Sequence, residues 1–396
     1  VILDKLKNLR EMEIALALAL ALTLLLKGAR AAGQMHIENP KRPLAKNVGR
    51  FVDLDEVLRI RDDGRTIIFR SPQRLAQGPD GSLYFLDFAE GDRLYRFGAD
   101  GKLVFKILKN GQGPREAQHV THFFFERDRI RVQAWVPPKI MDFDFAGRYI
   151  GEVKVREDTH GLWFLAVADG KIYGIRDELF SSAAFSSAGV FAIPNSVYEI
   201  SSDFATWKKL YEFPVRMAVK RAHGIRLDMI DAAVHGSTMY ILHTARYEIT
   251  QLDLGTEKVE RIITRAYDRV RGETPQIGRD PDPEARGFED AQSDPYVFDI
   301  NEIHAVGDKL WVFTSTGKPG KGEQQVDVFD AAGRYIDSFF LRFPASGRNH
   351  QAVRRKSLVT DDGFFFVPEQ EEDGLVTIGK YKIRGFDSSS GTGSRG

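Results

Sequence analysis

An eight-residue phrase that occurs twice constrains this chain more than any other feature. Phe143-Asp144-Phe145-Ala146-Gly147-Arg148-Tyr149-Ile150 matches Phe329-Asp330-Ala331-Ala332-Gly333-Arg334-Tyr335-Ile336 at seven of eight positions. A looser copy runs from Phe97 to Val104 and a degenerate one from Leu252 to Val259. Each reads as strand, tight turn, strand, with a Gly supplying the positive φ that a hairpin loop needs. A second kind of hairpin recurs six times, with turns at Asp80-Gly81, Arg127-Asp128, Asp169-Gly170, His235-Gly236, Gly307-Asp308 and Asp362-Gly363. Each turn is followed by an apolar strand such as Leu83-Tyr84-Phe85-Leu86 or Leu310-Trp311-Val312-Phe313.

Two hairpins per unit make four strands, and repeated four-stranded units make a propeller. The expected fold is therefore all-β: a six-bladed β-propeller with four-stranded antiparallel blades over residues 51–385. Six such units take about 56 residues each, against roughly 40–50 for a typical blade. The excess falls in a long insertion at 268–297, rich in Pro, Asp, Glu and Arg, and in a smaller one at 176–195. The last unit offers three strands of its own, at 357–360, 364–367 and 375–383. A fourth could come from 51–61 or 65–70, and closure by both chain ends would remove a free sheet edge.

The 396 residues hold 56 Lys+Arg and 56 Asp+Glu, a formal net charge of zero. This balance excludes a strongly basic nucleic-acid binder and an acidic disordered tail. The chain has no Cys, which excludes disulfides, thiolate zinc sites, Fe–S clusters and a cysteine nucleophile. Residues 14–26 form an uncharged Ala/Leu-rich run. As a helix it would be about 20 Å long, short of a hydrocarbon core of about 30 Å. With Lys5, Lys7 and Arg10 before it and Ala29-Arg30-Ala31 after it, the run has the layout of a secretory signal. Residues 1–32 are thus expected to be a signal peptide or an uncleaved N-terminal anchor, 33–50 a linker and 386–396 a flexible tail. The mature chain is expected in the periplasm or outside the cell, as a monomer without a transmembrane span.

From Leu83 to Val155 the order is strand, Phe97-x-x-Asp100-Gly101-Lys102 turn, strand, Gly111-Gln112-Gly113-Pro114-Arg115-Glu116, then the second turn copy. This stretch resembles the bacterial secreted six-bladed β-propeller family related to NHL repeats, whose blades are joined by a Gly-Gln-Gly-Pro-Gly-Glu-type segment. Arg115 stands where the family pattern has its third Gly. The resemblance implies fold and export, and no particular activity. Members often carry a lipoprotein Cys after the signal, and this chain has none.

Gly111-x-Gly113 lacks the strand–loop–helix setting of a phosphate loop, so it reads as a connector between blades. His119, His122, His160 and His223 are expected shortly before the first strands of blades two, three and four, with Arg70, Arg74, Arg226 and Arg354 comparably placed. Gathered at one mouth of the central channel, they would favour an anionic or polar ligand through charge-assisted and bidentate contacts. The leading expectation is a non-catalytic binding or scaffold propeller that engages such a ligand, or a protein partner, through one face. The alternative is a metal-dependent lyase or lactone hydrolase in the channel. Related propeller lyases hold a metal with His from several blades, and lactonase-type propellers use Glu, Asn and Asp around calcium. Asn301, Glu302 and Asp231 are of that second type. No motif in the chain demands a cofactor, metal ligands are not assigned, and catalytic residues are not assigned.

Overall fold

An apolar run such as Leu83–Leu86 has no face for solvent, so both faces of its strand must be covered. A ring of blades meets that demand, because every blade is flanked by two others. The computed structural model describes residues 34–88, 93–155, 161–178, 189–220, 223–272, 295–318, 323–344, 357–371 and 374–386. The chain divides into two units, Val1–His36 and Ile37–Gly396, and the blades belong to the second. Among the described residues every regular element is a strand.

The strands form six antiparallel blades in chain order. Blade 1 comprises Pro72–Gln77, Leu83–Asp87, Arg93–Phe97 and Leu103–Ile107. Blade 2 comprises Gln118–Glu126, Arg129–Val136, Pro138–Asp144 and Tyr149–Lys154. Blade 3 comprises Leu162–Ala168, Lys171–Asp177, Gly189–Ile200 and Trp207–Lys220, with His223–Arg226 as an extra edge strand. Blade 4 comprises Ile230–His235, Thr238–His243, Glu248–Asp253 and Lys258–Arg265, and a further strand ending at Asn39 lies along its rim. Blade 5 comprises Ile300–Val306, Lys309–Lys318, Glu323–Asp330 and Tyr335–Arg342. Blade 6 has Leu358–Val359, Phe364–Gln370 and Val376–Ile383, and the strand Arg50–Arg61 completes it.

The core is divided among six clusters, one at each blade interface. In the strand Leu83–Asp87, Leu83 and Phe85 pack with Phe366 and Ile378 of blade 6. Their neighbours Tyr84 and Leu86 pack with Phe123, Ile130 and Val132 of blade 2. Phe124 turns the other way, toward Leu162 and Leu165 of blade 3. The period-two alternation of a strand thus feeds two interfaces at once. Further clusters join blades 3 and 4, 4 and 5, and 5 and 6, which closes the ring.

The repeated phrase explains itself in the two outer turns. Asp144 Oδ1 accepts the Ala146 and Arg148 amides at 2.9 and 2.8 Å, and Gly147 N–H donates to the Asp144 carbonyl at 2.9 Å. Asp330 repeats this with Ala332 and Arg334 at 3.0 and 2.9 Å. Gly147 and Gly333 have φ of 79° and 78°. A Cβ on Gly147 would also strike Phe105 of blade 1, and one on Gly333 would strike Ile263 of blade 4. Each turn therefore needs Gly twice over, for its φ and for its seat on the preceding blade.

Of the two segments that are candidates to close the ring, Arg50–Arg61 does so, and it serves two blades. Arg50–Asp53 runs parallel to Phe339–Arg342 of blade 5, and Leu54–Arg61 runs antiparallel to the last strand of blade 6. Arg59 locks the second half. It donates to Thr377 Oγ1 and the Tyr381 hydroxyl at 2.9 Å each, and to the carboxylates of Glu56 and Glu369. Tyr381 OH in turn donates to Glu369 at 2.6 Å. The Arg59 and Glu369 side chains are 5% and 0% exposed. Arg50 holds the first half through a bidentate pair with Asp337 at 2.8 and 2.7 Å. Residues 33–50 are expected as a linker; from Asn39 onward they lie along blades 4 and 5. Asn39 donates to the Thr264 and Gly333 carbonyls and accepts the Tyr335 amide, and Leu44 and Ala45 donate to the Tyr335 and Ile336 carbonyls. Residues 1–33, 273–294 within the expected insertion and 387–396 of the expected tail lie outside the described residues.

Replacing Arg59 with Met should leave the Glu369 carboxylate buried without its ion partner. The expected cost is about 3–5 kcal/mol, read as a lower urea midpoint. Tyr381→Phe should cost about 1–2 kcal/mol. Arg61→Met, whose side chain is 62% exposed in its pair with Glu371, should stay within about 0.5 kcal/mol of the parent.

Candidate functional site

The first strands of blades 2 to 6 approach one another in turn around the ring, so they are the inner strands. Arg74 places blade 1 in the same circle. Its Nη2 donates to the Trp163 carbonyl of blade 3 at 2.8 Å. Blades 1 and 3 are not neighbours, so this bond passes inside blade 2, through the channel.

Four of the inner strands break register near the same level. The shifts fall between Gln73 and Ala76, Val120 and His122, Leu162 and Phe164, and Ile300 and Glu302. A bulge inserts a residue and re-aims the side chains around it. The bulged residues include Arg74, with φ of 56°, Thr121, Trp163 and Asn301. Strand sequences of this length carry no mark of a bulge, so the periodicity alone does not reveal the ring that they form.

Beside Arg74 lies an incompletely satisfied polar cluster. His122 is 9% exposed and pairs across the hairpin with Gln133, which is 3% exposed. Its ring meets Phe164 edge-on at 6.0 Å between centroids. Thr121 Oγ1, His122 Nδ1 and Gln133 Oε1 are all buried without a hydrogen-bond partner. Gln133 Nε2 makes a long bond of 3.4 Å to the Leu162 carbonyl. Burial, followed by the charge of Arg74, holds the His122 imidazole well below its ordinary pKa, so it is neutral at pH 7. The Arg74 guanidinium and, on blade 2, three buried polar atoms without partners thus lie where blades 1, 2 and 3 adjoin. The Trp163 indole, held by Nε1 to Asn195 Oδ1 at 3.3 Å, stands beside them.

The expected site residues do not all gather there. Arg74 and His122 come together. His119 is exposed with φ of 56°. Arg70 is exposed, and its backbone amide binds Asp87 Oδ1 at 3.2 Å. His223 and Arg226 lie in the edge strand of blade 3 that pairs with Met217–Lys220, away from the inner strand of their blade. His160 and Arg354 lie outside the described residues. Sequence reasoning does not reach Thr121, Gln133 and Trp163; the one signal it offers is Gln133, a polar residue amid an apolar strand.

A second polar group sits between the inner strands of blades 5 and 6. Glu302, 4% exposed, accepts a hydrogen bond from Ser357 Oγ. His304 Nε2 lies 3.2 Å from both Glu302 Oε2 and Ser357 Oγ. Burial alone would raise the Glu302 pKa, but the His304 and Ser357 hydrogen bonds and the His304 charge bring it below its ordinary value. Both partners share one imidazole nitrogen, so this is not the relay of a serine hydrolase, in which acid and serine take opposite nitrogens. The residues considered for calcium are engaged elsewhere. Asp231 accepts the Ile303 amide at 3.0 Å, and Asn301 donates to the Thr314 carbonyl at 3.3 Å. Among the described residues no three His, Asp or Glu are arranged to hold a metal ion.

Fold and channel together define a six-bladed β-propeller. Residues 73–206, which span blades 1 and 2 and most of blade 3, match the model of a family described as 6-bladed beta-propeller. The chain is similar to a protein of Bacteroides fragilis described as exported, with 12% identity, 88% of this chain and 99% of that one covered, and a TM-score of 0.50. It is also similar to the calcium-binding protein regucalcin of Agrobacterium tumefaciens, at 13% identity, 85% and 98% coverage and a TM-score of 0.43. Virginiamycin B lyase of Staphylococcus aureus follows at 11% identity, 84% and 90% coverage and a TM-score of 0.39. No curated protein matches the sequence. Among the described residues no helix is long and apolar enough to cross a membrane.

The neutral state of His122 sets a pH dependence. In the unfolded chain its imidazole takes up a proton near pH 6.5, and in the folded chain only well below that. The unfolded state binds more protons over this interval, so stability falls as pH is lowered below about 6.5, by up to about 1.4 kcal/mol per pH unit. His122→Gln should show a shallower loss between about pH 6.5 and 5 in urea titrations.

Proposed function

We propose that the protein is an exported, non-catalytic binding propeller that takes a polar, anionic ligand at the channel rim of blades 1 to 3. The observation that carries this reading is Arg74 reaching across the channel beside three buried polar atoms that lack partners. Buried polar groups are normally paired, and exceptions cluster where a water, ion or ligand completes them. The guanidinium supplies charge-assisted, fork-shaped donors for a carboxylate or phosphate. Neutral His122, Thr121 and Gln133 supply hydrogen bonds without competing charge. A ligand anion would replace the Trp163 carbonyl as acceptor for Arg74, so the rim is partly assembled before binding. Export is supported by the apolar run at 14–26 with its basic flank. The Bacteroides fragilis protein of the same fold is likewise described as exported.

Thermal unfolding in the presence of inorganic phosphate, citrate and glucuronate tests the reading. At least one of these probes should raise the melting temperature of the parent protein and leave that of Arg74→Ala unmoved. His122→Ala should weaken the same probe by about tenfold, as the loss of one buried hydrogen bond implies. Stabilisation that persists undiminished in Arg74→Ala, or none with any of the three, would overturn it.

A further inference from the structure

The inner strands end, on the opposite face, in the hairpin turns that lead to the second strands. There a cavity of about 920 Å³ opens between blades 5 and 6. It runs from the turns at His235, Gly307 and Asp361 out to the closing strand at Arg50. Its volume is that of a small-molecule site, and it joins an aromatic floor to a rim of charged side chains.

The floor is aromatic. Trp311 meets Phe339 edge-on at 5.1 Å and Phe386 at 5.8 Å. Lys309 stands two residues from Trp311 on the same strand, hence on the same side, and both line the cavity. Asp308 and Asp361 lie at the same inner end, on blades 5 and 6 respectively. Asp361 Oδ1 accepts the Gly307 amide at 2.8 Å, which fixes that carboxylate at the cavity mouth. The outer rim is charged too, but it is already satisfied within the protein. Arg50 is held by Asp337, and Arg384 by Asp53 and Asp55. Among the described residues the side chains of Lys309 and Asp308 have no such partner. Lys309 and two carboxylates thus sit at one end of an aromatic slot, beside His235 of blade 4.

We propose that this cavity binds a free α-amino acid with a large apolar side chain. Its carboxylate would pair with Lys309, its ammonium with Asp308 and Asp361, and its side chain would lie against Trp311 and Phe386. A simple anion would meet two carboxylates there, and a simple cation would meet Lys309. A zwitterion alone satisfies both signs, and only an apolar side chain uses the floor. This site is separate from the channel rim and does not rest on it.

Calorimetric titration of the purified full chain with L-phenylalanine tests the assignment. Binding is expected, with loss of at least about tenfold in affinity for N-acetyl-L-phenylalanine, for L-phenylalaninamide and for L-alanine. Lys309→Met should cost a similar factor with the fold intact, checked by an unchanged urea midpoint. Arg74→Ala, at the other face, should bind L-phenylalanine as the parent does. No binding at millimolar L-phenylalanine would overturn the proposal. So would equal affinity for the acetylated or amidated compound, or an unaltered affinity in Lys309→Met.

Discussion

The rest of the molecule depends on one strand that belongs to two blades. Arg50–Arg61 pairs in parallel with blade 5 and then antiparallel with blade 6, so it joins the ring where the ring would otherwise end. Without it, blade 6 keeps three strands and blade 5 an open edge. The buried pair of Arg59 and Glu369 fixes this strand in register, since a one-residue slip would turn Arg59 to the opposite face. Charge buried so deeply is weak evidence for stability in itself, but it specifies one pairing among several. The cavity between blades 5 and 6 exists because the closing strand bridges from one to the other.

How the channel rim is built follows from the same geometry. Closing six blades brings their first strands together, and the bulges in four of them let side chains leave the blade interfaces. Arg74 is the clearest product. It sits in a backbone conformation that a non-Gly residue rarely adopts, and its guanidinium reaches a carbonyl two blades away. The interfaces on either side are packed by Phe, Tyr and Ile and leave no room for such departures.

The fold was legible because each of its rules is local. The Asp-x-x-Gly turns bind their own amides, and the apolar runs reveal strands covered on both sides, so counting turn pairs counts blades. The candidate site was legible only in part. Arg74 and His122 were accessible because a His or Arg at the start of an inner strand has few places to go. His223 and Arg226 follow the same rule by sequence, yet blade 3 extends its outer strand to Lys220 and folds them back along it. Thr121 and Trp163 owe their positions to bulges, which depend on three-dimensional packing rather than on the period of the strand. Glu302, His304 and Ser357 meet only because blades 5 and 6 adjoin, although 55 residues separate the outer two.

The closing strand also sets the order in which the chain can finish folding. Arg59 precedes its partner Glu369 by 310 residues, so the strand is made early and its sheet arrives last. Interactions so distant in sequence slow folding, because the intervening loop must be closed before they repay it. Blades 1 to 4 can form as the chain emerges, each against its predecessor. The ring itself must wait for the final strand. Until the final strand is made, the unpaired closing strand is the segment most in need of protection from other chains.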